Sequence, residues 1–132
     1  MTAEIGLRTA LETIANMTSE EFGIFRNTSE MQSMEPQVRD MFISIHNLSK
    51  AWILAPRHFI DMVMHVEESE NVQDCIVAIT EFISDNCDSE ASTVIVDFIE
   101  AYNRGDELKI VELLTDICNS SIKHYKEMWP LK

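Results

Sequence analysis

The chain is poor in residues that interrupt regular structure, since only three glycines and three prolines occur among its 132 residues. A fold of many short β-strands needs a turn between each pair of strands, and such turns draw heavily on these two residue types. Their scarcity disfavours a β-sandwich or a β-barrel. It favours long helices joined by short connections.

Cysteine is also scarce, and the three residues Cys75, Cys87 and Cys118 form no C-x-x-C pair. This argues against both a disulfide framework and a zinc ribbon. The chain also lacks a run of apolar residues long enough to cross a bilayer, and its first residues lack the basic and then apolar pattern of a signal peptide. We therefore expect a cytoplasmic protein without a membrane span.

Motifs for common enzyme chemistries are missing. We find no G-x-S-x-G element and no glycine-rich phosphate loop, which disfavours serine hydrolases and nucleotide enzymes. Cys75 lies between Asp74 and Ile76, and an anionic, apolar setting raises the pKa of a thiol, which is unfavourable for a nucleophile. We expect a non-enzymatic protein that holds no cofactor.

Basic residues are nearly absent from the middle of the chain. Between Asp61 and Asp116 there are fifteen acidic residues and two basic ones, Arg104 and Lys109, so this region carries a net charge of −13. The eight acidic and eight basic residues elsewhere cancel. Such a field repels phosphate backbones, which disfavours nucleic acid as a partner, and it attracts a basic protein surface.

What the sequence does have is apolar residues at three- and four-residue spacing along nearly its whole length, which is the pattern of amphipathic helices. Thr18 to Glu21 has the form of a capping box, Pro56 suits a first helical turn, and Gly105 suits a helix end. The polar segment 27–36 is predicted as a loop. The β-branched segment 91–96 could form a strand, but its helical continuation favours a helix.

These patterns predict an all-α fold, a single compact bundle of six to seven amphipathic helices that spans residues 1–132 as one domain. The last helix has the clearest apolar stripe and is predicted to end at Pro130. Its stripe consists of Val111, Leu114, Cys118, Ile122, Tyr125 and Trp129. Self-association through this stripe would give a homodimer.

The segment 56–68 holds two of the four histidines. On a helix, His58, Asp61, His65 and Glu68 fall within an arc of about 80°. A metal- or ligand-binding sensor or enzyme with its site near His58, Asp61 and His65 is one hypothesis. However, the two histidines are seven residues apart, about 10 Å along the axis, which is too far for one ordinary ion. A polar edge of an amphipathic helix is the favoured interpretation.

The remaining hypothesis is a protein–protein interaction module, an adaptor or an inhibitor. The chain has eight methionines, and methionine adapts to grooves that accept apolar helices as well as to ordinary cores. The partner would be a protein with a basic surface or an amphipathic helix, bound by a methionine-rich groove or by the acidic region. The candidate partner-binding residues are Trp52, Met62, Met64, Glu67, Glu68, Asp74 and Glu81.

The stretch "LRTALETIANMTSEEFGIF", residues 7–25, resembles the first helix and the start of the second helix of pyrin-type death-fold domains. The residues that carry the resemblance are Leu7, Leu11, Glu12, Ile14, Glu20, Glu21, Phe22 and Phe25. Gly23 and Ile24 stand where that family usually has lysines. The resemblance implies a death-fold-type signalling adaptor. The length and helix content are also similar to those of small Bcl-2-like proteins.

Overall fold

The computed structural model describes residues 2–52 and 54–128, with side chains from residue 7 onward. Within these ranges the regular elements are eight α-helices and one 3-10 helix, without a strand, so the predicted all-α bundle is confirmed. The helices are α1 (Thr2–Asn16), α2 (Ser19–Arg26), α3 (Ser29–Gln32), α4 (Pro36–Ala51), α5 (Ala55–Glu68), α6 (Val72–Asn86), α7 (Val94–Arg104) and α8 (Glu107–Met128). The 3-10 helix Ser89–Thr93 precedes α7.

Helices α4 and α8 pack against each other along the centre of the bundle. Helix α1 covers α4 and α5, α7 covers α8, and α6 packs mainly against α5. One continuous apolar core fills the space between them. Its largest fully buried apolar side chains are Leu11, Met31, Ile45, Leu48, Phe59, Ile60, Ile79, Phe98 and Ile117.

Local sequence signals determine where several helices begin and end. Thr18 and Glu21 form the predicted capping box, in which each side chain accepts a hydrogen bond from the other residue's backbone N–H. Asn71 caps α6 by accepting a hydrogen bond from the Asp74 N–H at 3.0 Å. Pro56 lies in the first turn of α5, as predicted. The capping hydrogen bonds satisfy amide groups that a helix start leaves without intrahelical partners, and proline has no such amide group to satisfy.

The segment predicted as a loop differs from the structure, because residues Ser29–Gln32 form the one-turn helix α3. The Thr28 side chain accepts a hydrogen bond from the Met31 N–H, and Met31 is completely buried. The hydroxyl cap and the buried methionine stabilise this turn despite its polar composition. The β-branched segment 91–96 is helical, as expected. Trp129, the last residue of the predicted apolar stripe, and Pro130, the predicted end of the last helix, lie outside the described residues.

None of the helices in the described ranges has both the length and the apolar character that crossing a bilayer requires.

Gly105 ends α7 with a left-handed backbone, at φ 69°. Replacing Gly105 with alanine should lower the free energy of unfolding by about 1 kcal/mol, because a Cβ disfavours this conformation although no heavy atom lies within 4 Å of it. Gly23, inside α2 and equally free of neighbours, is the matched control, and Gly23→Ala should raise stability by about 0.5–1 kcal/mol. Urea unfolding measures both. If both substitutions changed the free energy of unfolding equally and in the same direction, Gly105 would not have the left-handed conformation described above.

Candidate functional site

A groove of about 730 Å³ runs between α5 and α6. The three-residue connection 69–71 makes these two helices antiparallel neighbours. One wall is the polar edge of α5, which carries His58, Asp61, His65 and Glu68. These four residues span about 15 Å along the helix axis. The polar edge deduced from helical spacing is therefore one side of a groove.

The opposite wall belongs to α6, which contributes Asp74, Glu81 and Asp85. Their spacing of seven and four residues places them along one face of the helix over about 16 Å. Glu70, in the connection, closes one end of the groove. The same spacing in the sequence could also have identified Asp85, which is not among the predicted partner-binding residues.

The floor of the groove is apolar. Met62 from α5 and Phe82 from α6 are buried there, at 4% and 5% exposure, whereas Val77 is 54% exposed and faces the groove. Phe59 packs edge-on against Phe82, with ring centroids 5.6 Å apart. This contact holds the two walls together from below.

The groove is strongly acidic. Six carboxylates line it, and none of the lining residues is a lysine or an arginine. One cation reaches its rim from α1, where the Arg8 guanidinium donates a hydrogen bond to Asp61 Oδ1 at 2.9 Å. That hydrogen bond, together with the nearby carboxylates of Glu12 and Glu68, raises the pKa of Arg8.

The structure brings four of the seven candidate residues together in the groove, namely Met62, Glu68, Asp74 and Glu81. Glu67 is exposed on α5 but does not line the groove. Met64 is 3% exposed in the core, so a partner could reach it only if α5 moved. Trp52 lies elsewhere, at the end of α4, where its ring stacks on Tyr125.

Methionine mostly fills the core. Four of these side chains, Met31, Met41, Met62 and Met64, are at most 5% exposed, whereas Met128 near the end of α8 is 57% exposed. Only Met62 among them borders the groove. The apolar residue that the groove offers most openly is Val77, which the methionine count could not indicate.

Among the residues that the structure describes, no three His, Cys, Asp or Glu side chains come together as ligands for a metal ion. Asp61, one of the three residues of the metal hypothesis, is engaged by Arg8 instead.

The cysteines are buried and carry free thiols. Burial raises the pKa of Cys87 to about 11, and it also raises the pKa values of Cys75 and Cys118. Two of the thiols contact backbone carbonyls of other segments, Cys75 that of Val66 and Cys87 that of Ile117. A thiol with a raised pKa is a poor nucleophile at neutral pH, so these residues act as core side chains.

No protein-family model matches the chain, and no curated protein or solved structure shows significant similarity to it. The death-fold resemblance of residues 7–25 therefore stays a prediction.

Proposed function

We propose that this protein is a non-catalytic interaction module that binds a basic segment of a partner protein in the acidic groove between α5 and α6. The observation that carries the proposal is the lining of six carboxylates, without a lysine or an arginine, around the apolar floor. Opposite charges steer association and determine which partners bind. The exposed Val77 adds an apolar contact for the partner.

The shape of the groove defines the size of the bound segment. Both acidic walls extend for about 15 Å, which corresponds to about ten residues of a helix or about five residues of an extended chain. A second copy of this protein is a poor occupant, because the whole chain carries a net charge of −13. Nucleic acid is disfavoured for the same reason. The three free, buried thiols fit a reducing compartment, so we place this activity in the cytoplasm.

The test uses a fluorescein-labelled decapeptide composed of lysine, arginine and leucine. The variant Glu68→Gln/Glu81→Gln/Asp85→Asn removes three groove carboxylates with little change in side-chain size. We expect it to weaken peptide binding about tenfold in about 150 mM salt, because each carboxylate in contact with a partner cation still contributes a fraction of a kcal/mol at this ionic strength. Fluorescence anisotropy measures the dissociation constant.

The matched control neutralises three exposed acidic residues outside the groove, as Glu90→Gln/Asp97→Asn/Glu100→Gln. It removes the same number of negative charges as the groove variant. Comparing the two variants therefore distinguishes the effect of the groove carboxylates from that of the overall charge of the protein. We expect less than a twofold effect in about 150 mM salt, where distant charges are screened. Equal weakening by both variants, or no binding by the unmodified protein, would refute the groove as the site.

A further inference from the structure

Two of the four histidines lie in the acidic groove, and the other two do not. His58 and His65 are exposed on the α5 wall, two helical turns apart, where they alternate with Asp61 and Glu68. The other pair has structural contacts. His46 stacks on Phe22, with ring centroids 4.1 Å apart, and contacts the backbone carbonyl of Met17. His124 Nδ1 lies 3.2 Å from Asp88 Oδ1.

The groove histidines are surrounded mainly by carboxylates. Asp61 and Glu68 flank them on their own helix, and Asp74, Glu81 and Asp85 lie on the facing wall, with Glu70 at the connection. From α1, Arg8 pairs with Asp61, and the Glu12 carboxylate lies near Arg8. With both imidazoles neutral, the lining residues carry a charge of −6.

We propose that acidification releases the basic partner from this groove through protonation of His58 and His65. The inference rests on the proposed function. Histidine is the side chain that ordinarily gains a proton between pH 7.5 and 5.5, whereas carboxylates remain ionised until about pH 4. Two added positive charges reduce the lining charge from −6 to −4, within the 15 Å that a bound segment would occupy. Affinity for a cationic segment should therefore fall as the pH falls.

The experiment measures binding of the same labelled decapeptide at about pH 7.5 and pH 5.5, at low salt, to the full chain and to His58→Gln/His65→Gln. Because glutamine stays neutral at both pH values, the double variant keeps the groove polar but cannot gain the two positive charges. We expect the dissociation constant of the unmodified protein to rise about fivefold at pH 5.5, and that of the variant to change less than twofold. Circular dichroism at both pH values confirms that each protein remains folded.

The possible failures are distinct. If the unmodified protein binds the peptide equally well at both pH values, the histidine switch is refuted while the binding function stands. If the double variant loses affinity at pH 5.5 as strongly as the unmodified protein, groups other than His58 and His65 are responsible, and the inference is again wrong. If neither protein binds the peptide at pH 7.5, both the function and the switch are refuted.

Discussion

Replacing Phe59 with alanine should lower the free energy of unfolding by about 3–5 kcal/mol. Phe59 is completely buried, and its ring meets Phe82 in an edge-to-face contact beneath the groove. Truncation removes the transfer free energy of the ring and leaves a cavity that the helices can fill only partly. Since domains of this size have stabilities of about 5–15 kcal/mol, the variant should be close to the limit of folding.

Urea unfolding followed by circular dichroism measures this loss, with Val77→Ala as the control. Val77 is an apolar residue on the facing helix, but it is 54% exposed, so its truncation should change stability by less than about 0.5 kcal/mol. The two variants separate the structural floor of the groove from its accessible surface. A loss below about 1 kcal/mol for Phe59→Ala would contradict the packing of α5 on α6.

Both variants should weaken peptide binding, but for different reasons. If Val77 contributes the apolar contact of the groove, Val77→Ala should weaken binding by about two- to fivefold while the protein remains stable. Phe59→Ala should instead act through the fold, and its remaining folded fraction should bind with reduced affinity because the walls lose their common support.

Much of the fold follows from local sequence, as α5 shows. The three- and four-residue spacing of its apolar residues predicts one buried face, and Phe59, Ile60, Met62, Val63 and Met64 are indeed buried. The start of α2 and the end of α7 were equally predictable, because Thr18 and Gly105 act within three or four residues of their own positions. Such signals depend on side chains and backbone groups only a few residues apart, so one sequence is enough to recognise them.

The sequence could predict the polar edge that forms one wall of the groove, but not the wall that faces it. Helical spacing puts His58 and Glu68 on one edge of α5, but it does not say which helix faces that edge. Contacts between distant segments supply this information. Arg8 meets Asp61 across 53 positions, and Trp52 stacks on Tyr125, which is farther away in sequence. Helical period does not encode such pairings, because many partners would bury the same apolar face equally well.

The second large effect concerns a buried hydrogen bond between Asn86, the last residue of α6, and Tyr125 of α8. The Tyr125 hydroxyl donates a hydrogen bond to Asn86 Oδ1, and the Asn86 amide donates to the carbonyl of Phe82 at 3.2 Å. Asn86 is only 7% exposed. Tyr125→Phe keeps the ring that stacks on Trp52 but removes the donor for a buried oxygen. We expect a loss of about 1–3 kcal/mol in the free energy of unfolding.

Thermal and urea unfolding test this prediction against Tyr102→Phe, which removes a hydroxyl from a half-buried tyrosine beside Phe98. That substitution should lower the free energy of unfolding by less than about 0.5 kcal/mol. In the double variant Tyr125→Phe/Asn86→Leu both partners of the buried bond are apolar, so part of the lost stability should return. If Tyr125→Phe costs no more than Tyr102→Phe, the buried bond does not stabilise the fold.

The pH dependence of the same variant provides an independent check. Burial raises the pKa of the Tyr125 hydroxyl, and the charges of Cys87 and Asp85 raise it further. The folded state therefore favours the neutral phenol, whereas the unfolded chain ionises near the ordinary value of about 10. The resulting stabilisation is complete below about pH 10 and is lost as the pH rises through the raised pKa of the folded state.

Tyr125→Phe lacks this titration, so the difference in the free energy of unfolding between the two proteins should narrow above about pH 10. A difference that stays constant would mean that Tyr125 ionises equally well in the folded and unfolded chains, and its hydroxyl would then not be held in a buried hydrogen bond.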